Sequence, residues 1–445
     1  MLYRRAWPAD GADNPWPPAR GLPSLEWVDY DVAYLDFLDD SQDAVARRRG
    51  WIEAVLRGFR DPRPDDEMVT RWVDAYRTDR VNVSGAWLPE GEFGAGPIPV
   101  ATYASLDKTL NAGLELLPLR MITDITTSPT HRRRGLLTRL IEDDLSDAVA
   151  RGVPVAALTA SEATIYGRWG FGPSTSNQII ELDASPGFAL RDFTDRGRVE
   201  LVEPVDAWPH VTGVFAAFHA QQRGSVEWPA QYKDIHTGAY DFNDRSVNGK
   251  LRAAVHLGAD GAVDGFVIFT YGENHTIKIE EMVALDPTAQ LGLWSFLANT
   301  DRVQKVTFGI AHPHDPLQWA LVDHRRVKCT GLSDFLWVRV LDVVRCLAAR
   351  PWSADGQVVV AVDDPQGHAA GAFEVTTSAG TAIVSTTDRA PEVSLSAETL
   401  GSLYLGGVSV LALHRAGRIA GADDDVRRFA EMADLSEPPY CLTGF

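Results

Sequence analysis

Ile122-Thr-Asp-Ile-Thr-Thr-Ser-Pro-Thr-His-Arg-Arg-Arg-Gly-Leu-Leu137 is the stretch on which the reading of this chain turns. Ile122 to Thr127 are mostly β-branched and favour an extended strand, and Pro129 interrupts it. From Leu137 onward the apolar residues recur as Leu140, Ile141, Leu145, Ala148 and Val149, the spacing of one helix face. Arg151 and Gly152 suit the far end of that helix, a cation near its negative pole and a residue tolerant of a left-handed cap. The segment therefore reads as strand, basic turn and helix. At the helix start, unpaired N–H groups between Arg133 and Leu137 point outward at the positive pole, and Gly135 lets an anion approach the main chain. Arg132, Arg133 and Arg134 oppose the helix dipole at a cost of roughly 0.3–1 kcal/mol each, a cost that makes sense where a pyrophosphate is held.

Arg132-x-x-Gly135-x-Leu137 resembles the coenzyme A pyrophosphate loop of GNAT-superfamily N-acetyltransferases, whose usual pattern is Arg/Gln-x-x-Gly-x-Gly/Ala; Leu137 departs from its last position. The longer run from Ser128 to Leu137 resembles one branch in particular, the enhanced intracellular survival (Eis) family of bacterial acetyltransferases. The resemblance implies that acetyl-coenzyme A is the acetyl donor. It places the pyrophosphate on Arg132, Arg133, Arg134, Gly135, Leu136 and Leu137, and the pantetheine arm on backbone groups of Ile125 and Thr127.

Length and composition agree with such a protein and exclude rivals. A chain of 445 residues is too long for one core and is expected to form two or three domains. Three widely spaced cysteines, Cys329, Cys346 and Cys441, indicate neither a disulfide framework nor a paired-cysteine metal site, which fits a reducing cytosol. The N-terminus lacks the apolar run of a signal peptide, and no stretch approaches the ~20 apolar residues of a membrane span, so a cytoplasmic protein without a membrane partner is expected. A net charge of −19 argues against nucleic acid and favours cationic small molecules or lysine-bearing proteins. His312-Pro-His314-Asp315 lacks the partner spacing of a metal site, so no metal is expected there.

An internal echo supports duplication. Residues 276–308 repeat the order strand, Pro, turn, helix, strand seen over 122–159, with Ala289-Gln290-Leu291-Gly292 where the first copy has Arg132-Arg133-Arg134-Gly135. The second copy has lost the cations and is expected not to bind coenzyme A. A third segment opens near Ser333 with a strand passing into a helix. It continues with strands at Gln357–Val362, Gly371–Thr377, Thr381–Thr386 and Glu392–Leu395, read as an antiparallel sheet, and helices at Ala397–Leu405 and Asp423–Met432. This pattern, with Leu400-Gly-Ser-Leu-Tyr-Leu-Gly406, resembles the sterol-carrier-like domain that closes Eis chains. The expected fold is mixed α/β and α+β: two tandem GNAT folds, the second degenerate, then a sterol-carrier-like α+β domain, divided as 1–195, 196–332 and 333–445. Asp10 to Pro23 reads as an extended or mobile arm.

Acetyl transfer needs a base for the amine and an acid for the departing thiolate. Ala160-Ser-Glu-Ala-Thr-Ile-Tyr-Gly-Arg-Trp-Gly-Phe-Gly172 follows the next strand, with Ser161 as the expected N-cap of a short helix and one of the cofactor-binding residues. Tyr166 sits where the family places the tyrosine that protonates coenzyme A sulfur. The family draws its base from its own terminal carboxylate, here Phe445, whose ring can anchor the tail. Gly444 replaces the glutamate often found before that phenylalanine, which removes a charge from the amine site. Asp124, expected to project from the strand opposite Thr123 and Ile125, is a second candidate base and lies with the substrate; Phe59 and Asp61 resemble further substrate-pocket residues. The resemblance also implies a homo-oligomer, a hexamer, acting on a primary amine of an aminoglycoside-like polyamine or of a peptide or protein lysine. The alternative is a non-catalytic binding or regulatory protein whose last domain captures an apolar ligand; the Arg132–Gly135 loop and Tyr166 disfavour it.

Overall fold

Three sheets organise residues 29–445, the part of the chain that the computed structural model describes. The arm expected over Asp10–Pro23 lies outside the described residues. The first sheet has seven strands in the order Asp31–Leu35, Asn82–Trp87, Ala101–Asn111, Leu116–Thr127, Val155–Thr159, Leu336–Val340 and Gly172–Pro173. Its central strands are covered on both faces, so neighbouring residues enter different cores: Val155 and Ala157 one, Ala156 and Leu158 the other. One face carries the helices Gln42–Phe59 and Asp66–Asp79 through Trp51, Ile52, Val55, Met68 and Tyr76. The other carries Leu136–Ala150 through Leu136, Leu140, Ile141 and Leu145. Ser41 and Asp65 cap the first two helices by accepting from Ala44 N and Met68 N, and each helix closes on an arginine in the left-handed region.

The second sheet repeats the first around the strand Thr276–Ala284, the helix Pro287–Ala298 and the strand Lys305–Ala311. The third sheet joins Thr381–Thr386, Gly371–Ser378, Gly356–Asp363, Val393–Ser396 and Ile419–Gly421. It is not wholly antiparallel as its turns suggested, because Gly356–Asp363 and Val393–Ser396 run parallel. Two tandem acetyltransferase-like folds and a sterol-carrier-like domain are thus present in the expected order.

The chain changes sheet where neither expected cut falls. Gly172–Pro173 belongs to the first sheet, but Ser176–Asp183 belongs to the second. On the return, Val327–Asp334 pairs with Ser176–Asp183, and Leu336–Val340 re-enters the first sheet between Val155–Thr159 and Gly172–Pro173. The two passages touch at the crossing, where Ser174 N donates to Leu336 O at 2.9 Å and Phe335 N to Thr175 O at 3.0 Å. A two-stranded ribbon is therefore shared by both sheets, and the strand expected to open the third domain completes the first.

Candidate active site

The basic turn leaves a helix end open. Pro129–His131 forms one 3-10 turn, Arg133 and Gly135 take φ of 62° and 75°, and the helix Leu136–Ala150 begins with no side-chain cap and no acidic residue in its first turn. Its leading N–H groups lack an internal acceptor by construction, and a Cβ placed on Gly135 would meet open space. Arg132 and Arg133 are exposed, and among the described residues neither they nor Arg134 pairs with a carboxylate. Arg134 instead donates to the Tyr30 hydroxyl at 2.7 Å, and that hydroxyl lies 2.8 Å from His131 Nδ1. This donor set suits a doubly charged phosphate ester, with Arg132 and Arg133 available to it.

Ahead of the turn the sheet splits. Leu116–Thr127 pairs in parallel with Val155–Thr159 only from Leu119/Val155 to Met121/Ala157, although both strands run on. Backbone groups of Ile125 and Thr127 therefore border the split. On its other side this strand carries a bulge, where the register against Ala101–Asn111 shifts between Thr102 and Ala104. Asp124 sits in it with φ 52°, a conformation that aspartate tolerates better than most residues. The expected alternation fails as a result: Thr123 and Asp124 both line one cavity of about 240 Å³. Tyr76 donates its hydroxyl to the Asp124 carboxylate, and burial pushes that carboxyl up to about 7.

Phe445 lines the same cavity. The tail reaches it strapped along its length: Tyr440 N donates to Arg223 O at 2.9 Å, Asn177 Nδ2 to Cys441 O at 3.2 Å, and Thr443 Oγ1 to Val226 O at 2.6 Å. Gly444 N donates to the Tyr232 hydroxyl at 2.8 Å, and the Thr159 hydroxyl donates to Phe445 O at the open end of the split. Tyr166 is on the opposite face of the sheet, 6% exposed, with Trp169 and Phe171 at ring distances of 6.4 and 6.5 Å. Burial pushes its hydroxyl above the ordinary tyrosine range, against a hydrogen bond from Ser161 and with help from the Glu162 charge. Ser161 is not the N-cap; that position is Glu162, which makes no side-chain cap bond to the single-turn helix Ala163–Tyr166. Phe59, the last residue of the first helix, and Asp61, just past its cap, are exposed and do not line the cavity of Asp124 and Phe445. Trp72, Tyr76, Thr159 and Tyr232 carry no motif; the spacing Met68, Trp72, Tyr76 reads equally well as core.

The second copy departs further than the lost cations suggested. Only Leu285 and Asp286 separate its strand from its helix, so Ala289 to Gly292 lie inside the helix and no phosphate loop exists. Asp286 accepts from Thr288 N at 2.7 Å and Ala289 N at 3.0 Å, placing the chain's own carboxylate where an anion would bind.

Residues 46–174 match the family model of an acetyltransferase (GNAT) domain, residues 220–340 a second acetyltransferase (GNAT) model, and residues 343–442 that of a sterol carrier protein domain. An uncharacterized N-acetyltransferase of Streptomyces griseus subsp. griseus is 34% identical over 413 residues, 89% of this chain and 96% of the relative. The N-acetyltransferase Eis of Mycobacterium tuberculosis is 29% identical over 84% of this chain and 91% of its own length. The chain belongs to the Eis family of GNAT N-acetyltransferases. The crystal structure of Eis1 from Mycobacterium abscessus superposes with a TM-score of 0.77 at 27% identity, covering 93% of this chain and all of that one. Eis-like enzymes of the GNAT superfamily are acyltransferases that take their acetyl group from acetyl-coenzyme A and pass it to amines. No helix among the described residues is long and apolar enough to cross a membrane.

Proposed function

We propose that this Eis-family protein transfers acetyl directly from acetyl-coenzyme A to a primary amine held beside Asp124 and Phe445. Bound at the open helix end, acetyl-coenzyme A supplies an activated thioester to the split in the sheet. Arg132, Arg133 and the N–H groups of the first helical turn hold its pyrophosphate, with Gly135 leaving room, Leu136 and Leu137 contributing their backbone, and Ser161 bordering the far side. Backbone groups of Ile125 and Thr127 hold its pantetheine arm. The Phe445 carboxylate takes the proton from the amine nitrogen, and Tyr166, kept protonated by burial, gives one to the departing sulfur. What carries this reading is that the terminal residue, tied by Thr159, shares a cavity with Asp124 at the mouth of the split, while Tyr166 stands on the other face. An amine entering from one side and a thiolate leaving on the other need no common path.

Asp124 as base is a second reading, favoured by its carboxyl at about 7, near the working pH of a general base. Turnover of three variants separates the roles. Tyr166→Phe and a chain lengthened by one residue beyond Phe445 should each lose about 10²–10⁴-fold in kcat. Wild-type turnover in the lengthened chain with an inactive Asp124→Asn assigns the base to Asp124. A cytosolic homohexamer without nucleic-acid or membrane partners belongs to the same reading, and sedimentation checks the assembly.

A further inference from the structure

The motif His312-Pro-His314-Asp315, set aside as a metal site, borders a second cavity with a chemistry of its own. The second fold has lost its phosphate loop but keeps a split. Thr276–Ala284 and Lys305–Ala311 pair in parallel only from Thr276/Lys305 to Ile279/Phe308, while Ala311 keeps its pairing to Gln178 on the other side. Past that pairing opens a cavity of about 340 Å³, within the roughly 300–1,000 Å³ of small-molecule sites. Its apolar walls include Phe218, Met282, Phe308 and Tyr440. Phe218 and Tyr440 meet edge to face at a ring distance of 6.2 Å, and the Tyr440 hydroxyl is spent on Ile310 O, so this residue offers its ring.

Asp315 stands in the wall without a counter-charge. It is 9% exposed, and its carboxylate accepts from Leu317 N and from Gln290 Nε2, each at 2.9 Å. No cation pairs with it among the described residues. Burial pushes the carboxyl up to about 6, yet at neutral pH most of it is still ionised. A buried charge held only by two neutral N–H groups is costly, and a cation beside it would offset that cost. The nearby imidazole does not supply one, since burial and the neighbouring His314 push His312 down to about 4 and leave its ring neutral. Its Nδ1 accepts from His314 N at 2.9 Å, which places the ring proton on Nε2, a donor with no protein acceptor among the described residues. His314 itself is exposed at the rim, 3.6 Å from Glu437. The cavity thus presents one anion, aromatic faces and one N–H donor. A primary ammonium would need acceptors for three N–H groups, whereas a quaternary ammonium needs none and is drawn to ring faces.

We propose that this cavity binds a small quaternary ammonium alcohol, its cationic head beside Asp315 and against the rings of Phe218, Phe308 and Tyr440, its oxygen accepting from His312 Nε2. The site stands apart from the transfer chemistry and does not depend on it.

Calorimetry on the full-length protein with choline tests it against two controls: 3,3-dimethylbutan-1-ol, the neutral carbon isostere, and tetramethylammonium, which lacks the oxygen. Choline should bind about tenfold or more tightly than the isostere and several-fold more tightly than tetramethylammonium. Asp315→Asn keeps an acceptor for Leu317 N and should lower choline affinity by about tenfold or more while leaving that of the isostere unchanged. Phe308→Leu removes a ring but keeps an apolar wall, and should weaken choline more than the isostere. Because both ligands are read in the same preparation, partial unfolding does not move their ratio. Asp124→Asn should leave choline affinity as it is, because the carboxylates of the first fold lie in a different cavity. Absence of binding at millimolar choline, binding no tighter than that of either control, or a ratio of choline to isostere unmoved by both Asp315→Asn and Phe308→Leu overturns the proposal. So does a loss of choline binding confined to Asp124→Asn.

Discussion

The bulge that turns Asp124 into the cavity also ties its protonation to folding. Its carboxyl has a reference value of 3.8 in the unfolded chain and rises to about 7 on burial, so between these values the folded protein holds a proton that the unfolded chain has released. Stability therefore declines as pH climbs through that window and stays low above it. Asp124→Asn keeps an acceptor for Tyr76 and tolerates the left-handed backbone, but never has to bury a charge. Calorimetry should find the variant with a higher Tm than the parent at pH 8 and little difference near pH 4. The reverse trend would mean that Tyr76 stabilises the charged form more than burial opposes it. Arg132→Glu with Arg133→Glu should weaken acetyl-coenzyme A by about 1.5–3 kcal/mol for each lost charge-assisted contact while leaving the melting curve in place, since both residues are exposed. Arg134 is a poorer probe because it also holds Tyr30. The phosphate loop was legible because its chemistry is local: three cations and a glycine before a helical period. Tyr76, Thr159 and Trp72 were not, because an aromatic or a threonine on an apolar periodicity looks the same whether it faces a core or a cavity.

The helix that presents the phosphate site is bolted to its sheet by charge. Asp144, 3% exposed on the inner face of Leu136–Ala150, accepts from Arg120 Nη2 at 2.6 Å, Ser105 Oγ at 2.6 Å and the Tyr103 hydroxyl at 2.9 Å. Arg120 extends the network to Asp107 on the neighbouring strand at 2.9 Å. Asp144→Asn removes the buried counter-charge of the Arg120 guanidinium and leaves it only the half-exposed Asp107 and Asp147, which should cost up to about 3–5 kcal/mol in denaturant unfolding. It should also raise the KM for acetyl-coenzyme A, because the helix end would lose its fixed position. A charged residue at position 144 among Ile141, Leu145 and Ala148 could be seen in the sequence, but its partners come from strands 24 to 41 residues earlier and leave no local signal. The element order of the repeat was legible from the same strand, Pro and helix punctuation. The absent loop of the second copy was not, since an alignment that matches Gly292 to Gly135 conceals that Asp286 and Pro287 already begin the helix.

Across the whole molecule the shared ribbon makes the two acetyltransferase folds interdependent. Leu336–Val340 is buried at every residue and pairs on both sides, with Val155–Thr159 and with Gly172–Pro173. It also fastens the third domain, because Arg339 on that strand holds Asp364 at 2.6 Å in full burial. A fragment covering 29–183 contains every residue proposed for the phosphate loop and the tyrosine acid, yet lacks this strand. We expect it to melt without a cooperative transition; a sharp melt together with acetyl-coenzyme A binding would show that the first fold is autonomous. Composition shifts and turn residues mark domain cuts only where domains are consecutive, so a strand returning from 336–340 could not be placed from the sequence. The same strand also sets a clock. At roughly 5–20 residues per second of synthesis, about ten to thirty seconds separate the emergence of Gly172–Pro173 from that of Leu336–Val340, and throughout that interval Val155–Thr159, apolar up to Leu158, waits with an open edge. The first-made fold of this protein therefore cannot close until roughly three-quarters of the chain has been made, and it is exposed to chaperones and to neighbouring nascent chains throughout that wait.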